Sequence, residues 1–235
     1  NTGEPTYYFR GNVTNNYVSF AGQTWRIVRV NEDGTIRIVM QDGINSNAGY
    51  KFNTNYNNYK YMYYTNSTAK TQLESWYQAN IGSNENLSSK VATGNYYCEQ
   101  AKVKVIATNS DGTAGMVVYD KYTPNFQCAT DENGKGVVSA SVGLLNYDEI
   151  VYAGGYTLQR NSNYYLYNNY FIWSMSPNYA KTSYDDYGVW AIDSPGYIGH
   201  RSPTYALTFR PVINLKSDTK ISDGDGTKDN PYVVQ

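Results

Sequence analysis

Between residues 179 and 201 the chain collects side chains suited to binding: Tyr179, Tyr184, Asp185, Asp186, Tyr187, Trp190, Tyr197, His200 and Arg201. Aromatic faces can stack on a sugar ring or pack on a protein epitope, while carboxylate and guanidinium groups fix orientation through charge-assisted hydrogen bonds. Tyrosine suits this use because it offers a large contact area with few rotatable bonds. Trp190 fits a contact surface and a core equally well. Catalysis is poorly served by the same stretch. Nucleophilic chemistry needs a base that is itself oriented by a third group. His200 is the single histidine, in a Gly-His-Arg sequence, and no nucleophile-elbow pattern surrounds any serine. Asp193 could partner His200 only on paper. Asp185 and Asp186 are adjacent in the chain, which does not set the carboxylate separation that glycoside hydrolysis requires. The expectation is therefore binding without turnover, and not an enzyme.

A second cluster, Asp223, Asp225 and Asp229 with Gly224 and Gly226, has the oxygen-rich look of a calcium loop. The closing glutamate and full spacing of an EF-hand are missing, and a Gly-Asp turn before a final strand accounts for the same residues. No cofactor is expected, and calcium at that loop is the one candidate.

The binding residues must be held by something, and the stretch from Tyr164 to Leu215 reads as three strands joined by polar, aromatic loops. Phe171, Trp173 and Met175 alternate with Tyr170, Ile172 and Ser174, and Pro177 ends the run because it cannot donate to a ladder. Trp190 and Ile192 share a face of the second run, which Ser194-Pro195-Gly196 turns. In the third, Val212 and Asn214 oppose Ile213 and Leu215, and Pro211 predicts an edge position or a bulge. Upstream, Tyr17–Phe20, Thr24–Val30 and Thr35–Met40 form a meander with turns at Ala21-Gly22 and Asn31-Glu32-Asp33-Gly34. Residues 42–65, dense in Asn and Tyr, show neither a helical nor a strand period and predict a long ordered surface excursion. Two helices are expected. One spans 67–80, capped by Asn66 or Ser67, with Ala69, Leu73, Trp76 and Tyr77 on one stripe; the other spans 148–153, capped by Asn146 or Asp148. Strands at 101–108 and 114–119 flank a turn, and Tyr232-Val233-Val234 reads as a closing strand whose natural partner is an edge near the N-terminus.

At 235 residues the chain can bury a sizeable core, as one large α+β domain or two small ones. A net charge of -1 gives no electrostatic reason to bind nucleic acid. No stretch approaches the roughly 20 apolar residues that a membrane-spanning helix needs, and no signal peptide is evident. The opening Asn1-Thr2-Gly3-Glu4-Pro5 suits a processed form or an excised ectodomain. Tyrosine is overused, 27 against 6 phenylalanines, which fits either binding loops or half-buried strand positions. Cys98 and Cys128 are either a disulfide or two buried thiols. The polar composition favours the disulfide, hence an oxidising, extracellular or cell-surface location, and a stabilisation of roughly 3–4 kcal/mol by loop closure.

The segments YYFRGNVTNNYVSFAGQTWRIVRVNEDGTIRIV, LLNYDEIVYAGG, YYLYNNYFIWSMSP, VWAIDSPG, FRPVINLK and GDGTKDNPYVV together resemble a family of surface proteins of Gram-positive gut bacteria. The resemblance spans nearly the whole chain. It implies a single C-type-lectin-like ectodomain over 1–235, α+β with mostly antiparallel strands, two helices and an insertion at about 42–65. That superfamily includes formylglycine-generating-enzyme-like domains and receptor-binding proteins diversified by retroelements, and some relatives carry a pilin-like N-terminal helix. The implied function is recognition or adhesion, with a host or microbial surface glycan or protein as partner. The alternative is a self-assembling subunit of a pilus or surface filament. Two departures matter. Where calcium-dependent lectins carry Glu-Pro-Asn or Gln-Pro-Asp and Trp-Asn-Asp, this chain has Ser176-Pro177-Asn178 and Trp190-Ala191-Ile192-Asp193. Formylglycine-generating enzymes use a cysteine pair near the C-terminal end, whereas Cys98 and Cys128 lie far upstream.

Overall fold

The computed structural model describes residues 4–55, 59–99, 103–108, 114–119, 124, 126, 128, 136–157, 159–178, 180–181 and 188–235. It is a mixed α+β fold in which strands dominate. The predicted meander forms as Tyr17–Phe20, Gln23–Val30 and Ile36–Met40, with Ser19 opposite Thr24 and Ile27 opposite Ile38. It sits inside an eight-stranded sheet ordered Ile221–Asp223, Tyr232–Val234, Tyr17–Phe20, Gln23–Val30, Ile36–Met40, Val212–Leu215 and Val91–Ala92, with Tyr7–Tyr8 paired to Gln23–Val30. The closing strand takes the expected partner, lying parallel to Tyr17–Phe20.

The late stretch does not stay together. Ile172–Pro177 and Val189–Asp193 enter a second sheet, ordered Tyr156–Thr157, Tyr197–Arg201, Val189–Asp193, Ile172–Pro177, Ala206–Thr208 and Gly49–Lys51. Val212–Leu215 instead pairs with Ile36–Met40 and Val91–Ala92 in the first sheet, so it is an interior strand and the expected edge or bulge is wrong. Pro211 precedes the strand, and its carbonyl accepts from the Met40 amide at 2.9 Å. Pairing is antiparallel except at three contacts: Tyr156–Thr157 on Tyr197–Arg201, Ile172 on Thr208, and the closing strand.

Two expectations about elements need correction. The described residues contain four α-helical segments rather than two: Ile44–Asn47, Thr68–Tyr77, Glu85–Ser88 and Tyr147–Ala153. The predicted pair is present. Ser67 caps the first by accepting from the Lys70 amide at 3.1 Å, and a turn of π-helix, Gln78–Gly82, extends it. Asn146 and Glu149 close the capping box of the second. The extra two are single turns, too short to leave a hydrophobic period, and in Ile44–Asn47 three residues have positive φ. The second correction concerns 42–65, which is no surface excursion alone. Gly49–Lys51 is a strand of the second sheet, and Phe52, Met62 and Tyr64 are buried. Asparagine side chains replace the missing ladder: Asn53 Nδ2 donates to the Tyr61 and Asn66 carbonyls at 3.2 and 2.9 Å.

The core runs through both sheets and the Thr68–Tyr77 and Tyr147–Ala153 helices, around Trp25, Trp173, Phe52, Phe209, Ile38 and Leu73. Both tryptophans spend their indole N–H on backbone, Trp25 on Phe20 and Trp173 on Tyr50, each at 2.9 Å. Cations are buried too. Arg210 donates to the Met40 and Leu166 carbonyls at 2.8 and 2.5 Å, and burial lowers its pKa to about 10. Arg26 donates to Asn16 Oδ1 and the Val13 carbonyl, both at 2.6 Å, and lies 3.8 Å over the Tyr17 ring. No helix among the described residues is long and apolar enough to cross a membrane.

Candidate functional site

The hairpin of Val189–Asp193 and Tyr197–Arg201 is built residue against residue: Val189 opposite Arg201, Trp190 opposite His200, Ala191 opposite Gly199, Asp193 opposite Tyr197. Strand alternation then sorts the side chains. Trp190, Ile192, Ile198 and His200 share one face; Val189, Ala191, Asp193, Tyr197, Gly199 and Arg201 share the other. Trp190 is 3% exposed, with its ring 4.9 Å from Tyr147 and 6.2 Å from His200. Its expected place on the contact surface is corrected to the core: a ring on that face meets the Tyr147–Ala153 helix rather than water.

On the other face the Arg201 guanidinium is ion-paired to Asp193 Oδ2. The Asp193 side chain is fully buried, whereas that of Arg201 keeps 32% of its exposure. Burial raises the Asp193 carboxyl above its usual pKa, and Arg201 pulls it back only in part. Gly199, on the same face between Tyr197 and Arg201, makes this pair possible. A Cβ there would stand 2.7 Å from Asp193 Oδ2 and 3.0 Å from the Tyr197 ring. Tyr197, His200 and Arg201 are each partly exposed. The hairpin thus brings Tyr197 and Arg201 to one face, leaves His200 on the other beside Trp190, and removes Trp190 from the predicted contact residues.

Tyr179, Tyr184, Asp185, Asp186 and Tyr187 lie outside the described residues. Their flanks are described. The Asn178 amide donates to the Gly188 carbonyl at 2.9 Å, so the two flanks meet. Ala180–Lys181 pairs with Ala114–Tyr119, which pairs with Val103–Thr108. Both strands of that pair fall between Cys98 and Cys128, which are joined as a disulfide with Cα atoms 5.5 Å apart. The loop's first arm therefore rests on the stapled segment. That segment is pinned in turn where the Phe126 ring lies 4.4 Å from Tyr152 and 4.8 Å from the Arg29 guanidinium.

The acidic loop near the C-terminus has its carboxylates turned inward on its own backbone. Asp223 accepts from the Gly224 amide at 2.7 Å and Asp225 from the Thr227 amide at 3.0 Å. Asp225 is held below the usual carboxylate range by hydrogen bonds from Thr227. Asp223, Asp225 and Asp229 are exposed, and among the described residues no three His, Cys, Asp or Glu side chains gather as a metal site. The loop makes the turn that leads into the closing strand.

Sequence reasoning considered Asp193 only as a partner for His200 and overlooked Gly199. The signal for both was local: an acid and a glycine on one face of a hairpin that also carries an arginine. Compared with known proteins, the chain matches no family model, no curated sequence and no solved structure.

Proposed function

We propose that the chain is an extracellular recognition domain of C-type-lectin-like arrangement, which binds a surface glycan or a protein epitope and leaves it chemically unchanged. Its contact surface comprises Tyr179, Tyr184, Asp185, Asp186, Tyr187, Tyr197 and Arg201, with His200 left off it on the opposite face of the hairpin. The observation that carries this reading is Arg201, a guanidinium fixed on a buried carboxylate yet still open to solvent. A cation immobilised before the partner arrives loses little entropy on binding and offers planar, directional hydrogen bonds to carboxylate or hydroxyl groups. The meeting of Asn178 with Gly188, and the pairing of Ala180–Lys181 with a strand that falls between the disulfide-linked cysteines, support the same reading, since both anchor the flanks of the predicted contact residues.

The test is a glycan and host-protein array probed with the full chain, with and without a chelator. We expect chelator-insensitive binding that falls at least about tenfold in Arg201→Ala and in the Tyr184→Ala/Tyr187→Ala double variant. Unchanged binding in both variants would overturn the site. Concentration-dependent assembly by light scattering, with no array binding, would replace it with a filament subunit.

A further inference from the structure

Arg210 Nη2, Tyr164 Oη, Tyr165 Oη and Asn168 Oδ1 are buried polar atoms with no hydrogen-bond partner among the described residues. Other contacts of the same side chains bring them to one place, the end of Ile36–Met40. Arg210 Nε donates to the Met40 carbonyl at 2.8 Å and Nη1 to the Leu166 carbonyl at 2.5 Å, so the guanidinium bridges that strand and the residue after Tyr165. Asn168 Nδ2 donates to the Gln41 carbonyl at 3.1 Å, one residue on from Met40. The Tyr165 ring lies 5.2 Å from the Arg26 guanidinium, and Arg26 Nη1 in turn donates to Gln41 Oε1 at 3.3 Å. The charge of Arg210 acts on both tyrosine hydroxyls.

The same place holds more positive charge than the protein offsets. Arg26 and Arg210 are both buried, and their charges oppose each other. Arg26 donates to Asn16, Gln41 and the Val13 carbonyl, Arg210 to two carbonyls, and among the described residues neither is ion-paired to an acid. Two carboxylates act from further off. Asp42 is exposed and is hydrogen-bonded to neither arginine, and Glu149, whose charge reaches Tyr165, is held by Arg29 and Arg37. Buried cations are ordinarily paired, and a buried donor without an acceptor is costly.

We propose that a small monovalent anion, of the size of chloride or bromide, binds between Arg210 and the hydroxyls of Tyr164 and Tyr165, beside the Arg26 charge. The hydrogen-bonding inventory separates an anion from water. Three of the orphaned groups carry protons to donate, and Asn168 Oδ1 alone is purely an acceptor. A water molecule brings as many donors as acceptors and leaves that surplus unchanged. An anion only accepts, and it also offsets the paired cations. Tyr164, Tyr165, Leu166 and Arg210 are all buried, which limits the occupant to a small ion, while Tyr167 and Asn168 beside them are half-buried and place the site close beneath the surface. The bound ion ties the Tyr164–Asn168 stretch to the first sheet, separately from the Arg201 hairpin.

The experiment follows the thermal midpoint of the full chain in sodium bromide against sodium gluconate at equal ionic strength, with the anomalous scattering of bromide recorded from crystals grown in the bromide salt. Gluconate is too large for an enclosed site. We expect the midpoint to rise by about 3–6 °C once bromide stands at roughly ten times its dissociation constant, and an anomalous peak in contact with Arg210 Nη2. Tyr164→Phe/Tyr165→Phe keeps both rings and removes both hydroxyls, so it should weaken bromide at least about tenfold. Tyr64→Phe, whose hydroxyl serves the Val142 carbonyl, and Arg201→Ala should leave the bromide dependence unchanged. The proposal is overturned if the midpoints in the two salts coincide, if Arg210 Nη2 contacts water with no anomalous peak, or if the double tyrosine variant keeps the full bromide dependence. A bromide peak there with no change in stability, an adventitious ion only, would also overturn it.

Discussion

The ion cluster around Glu149 allows the sharpest quantitative test of how this fold holds together. Arg29 and Arg37 stand directly opposite one another on neighbouring strands. Like charges in that position repel, and here the Arg37 side chain has no exposure and that of Arg29 has 14%. Glu149, 1% exposed, reaches in from the Tyr147–Ala153 helix and answers both: Oε1 accepts from Arg29 Nε at 3.2 Å and is ion-paired to Arg37 Nε. Its Oε2 accepts from Arg37 Nη2 at 3.3 Å and from the Asn146 amide at 3.0 Å, so the same carboxylate completes the helix cap. Glu149→Gln retains the shape and, because Gln also serves in a capping box, the cap. It removes only the charge, which strands a buried guanidinium. Breaking a buried pair from one side costs roughly 3–5 kcal/mol, out of a total of about 5–15 kcal/mol for a domain. At about 2–4 °C per kcal/mol for a chain of this size, the melting midpoint should fall by roughly 6–20 °C. Near-ultraviolet circular dichroism of the buried tryptophans would follow it. Arg37→Met added to Glu149→Gln should recover part of the loss, giving a coupling energy above about 1 kcal/mol in the double-mutant cycle. A loss below about 1 kcal/mol in Glu149→Gln, with no coupling to Arg37, would refute the electrostatic account of this core.

Two further outcomes follow from the geometry. Gly199→Ala drives a methyl group to 2.7 Å from Asp193 Oδ2, so it should cost about 1–3 kcal/mol by urea denaturation and weaken array binding by displacing Arg201; unchanged stability and binding together would refute the close-approach reading. Cys98→Ser/Cys128→Ser opens a 30-residue separation and should lower stability by roughly 3–4 kcal/mol, with reductant reproducing the loss in the parent chain and adding nothing in the variant.

What could be read in advance was what the chain specifies over short distances. The meander at 17–40 alternates and carries its own turns, and the Tyr147–Ala153 helix begins at a residue able to cap it, so both followed from neighbours a few positions apart. Apart from the two single-turn helices, the errors involve partners far away in sequence. Gly49–Lys51 is a strand only because Ala206–Thr208 lies beside it, and nothing in Gly-Tyr-Lys alone prefers that state. Val212–Leu215 leaves the late stretch because Ile36–Met40 and Val91–Ala92 complete it on both sides. Trp190 alternates correctly, yet which side of its hairpin meets a helix is decided by residue 147.

Tyrosine content shows why composition could not locate the site by itself. Tyr64, Tyr97, Tyr147, Tyr164 and Tyr165 are all buried, and several work as core rings with a polar tip. The Tyr64 hydroxyl donates to the Val142 carbonyl at 3.0 Å, and the Tyr97 hydroxyl contacts the carbonyls of Ser141 and Val212 at 3.1 and 2.9 Å. At Tyr64 and Tyr97 tyrosine does what phenylalanine cannot: it fills volume and also donates to backbone carbonyls. Much of the tyrosine therefore serves the core, and its excess over phenylalanine is no sign of binding by itself. The case for recognition must therefore rest on groups the core has no use for. Arg201 is one, because Asp193 could be replaced along with it by apolar residues at little cost to stability; on the proposed reading the pair, with a glycine making room for it, holds a cation ready for a partner.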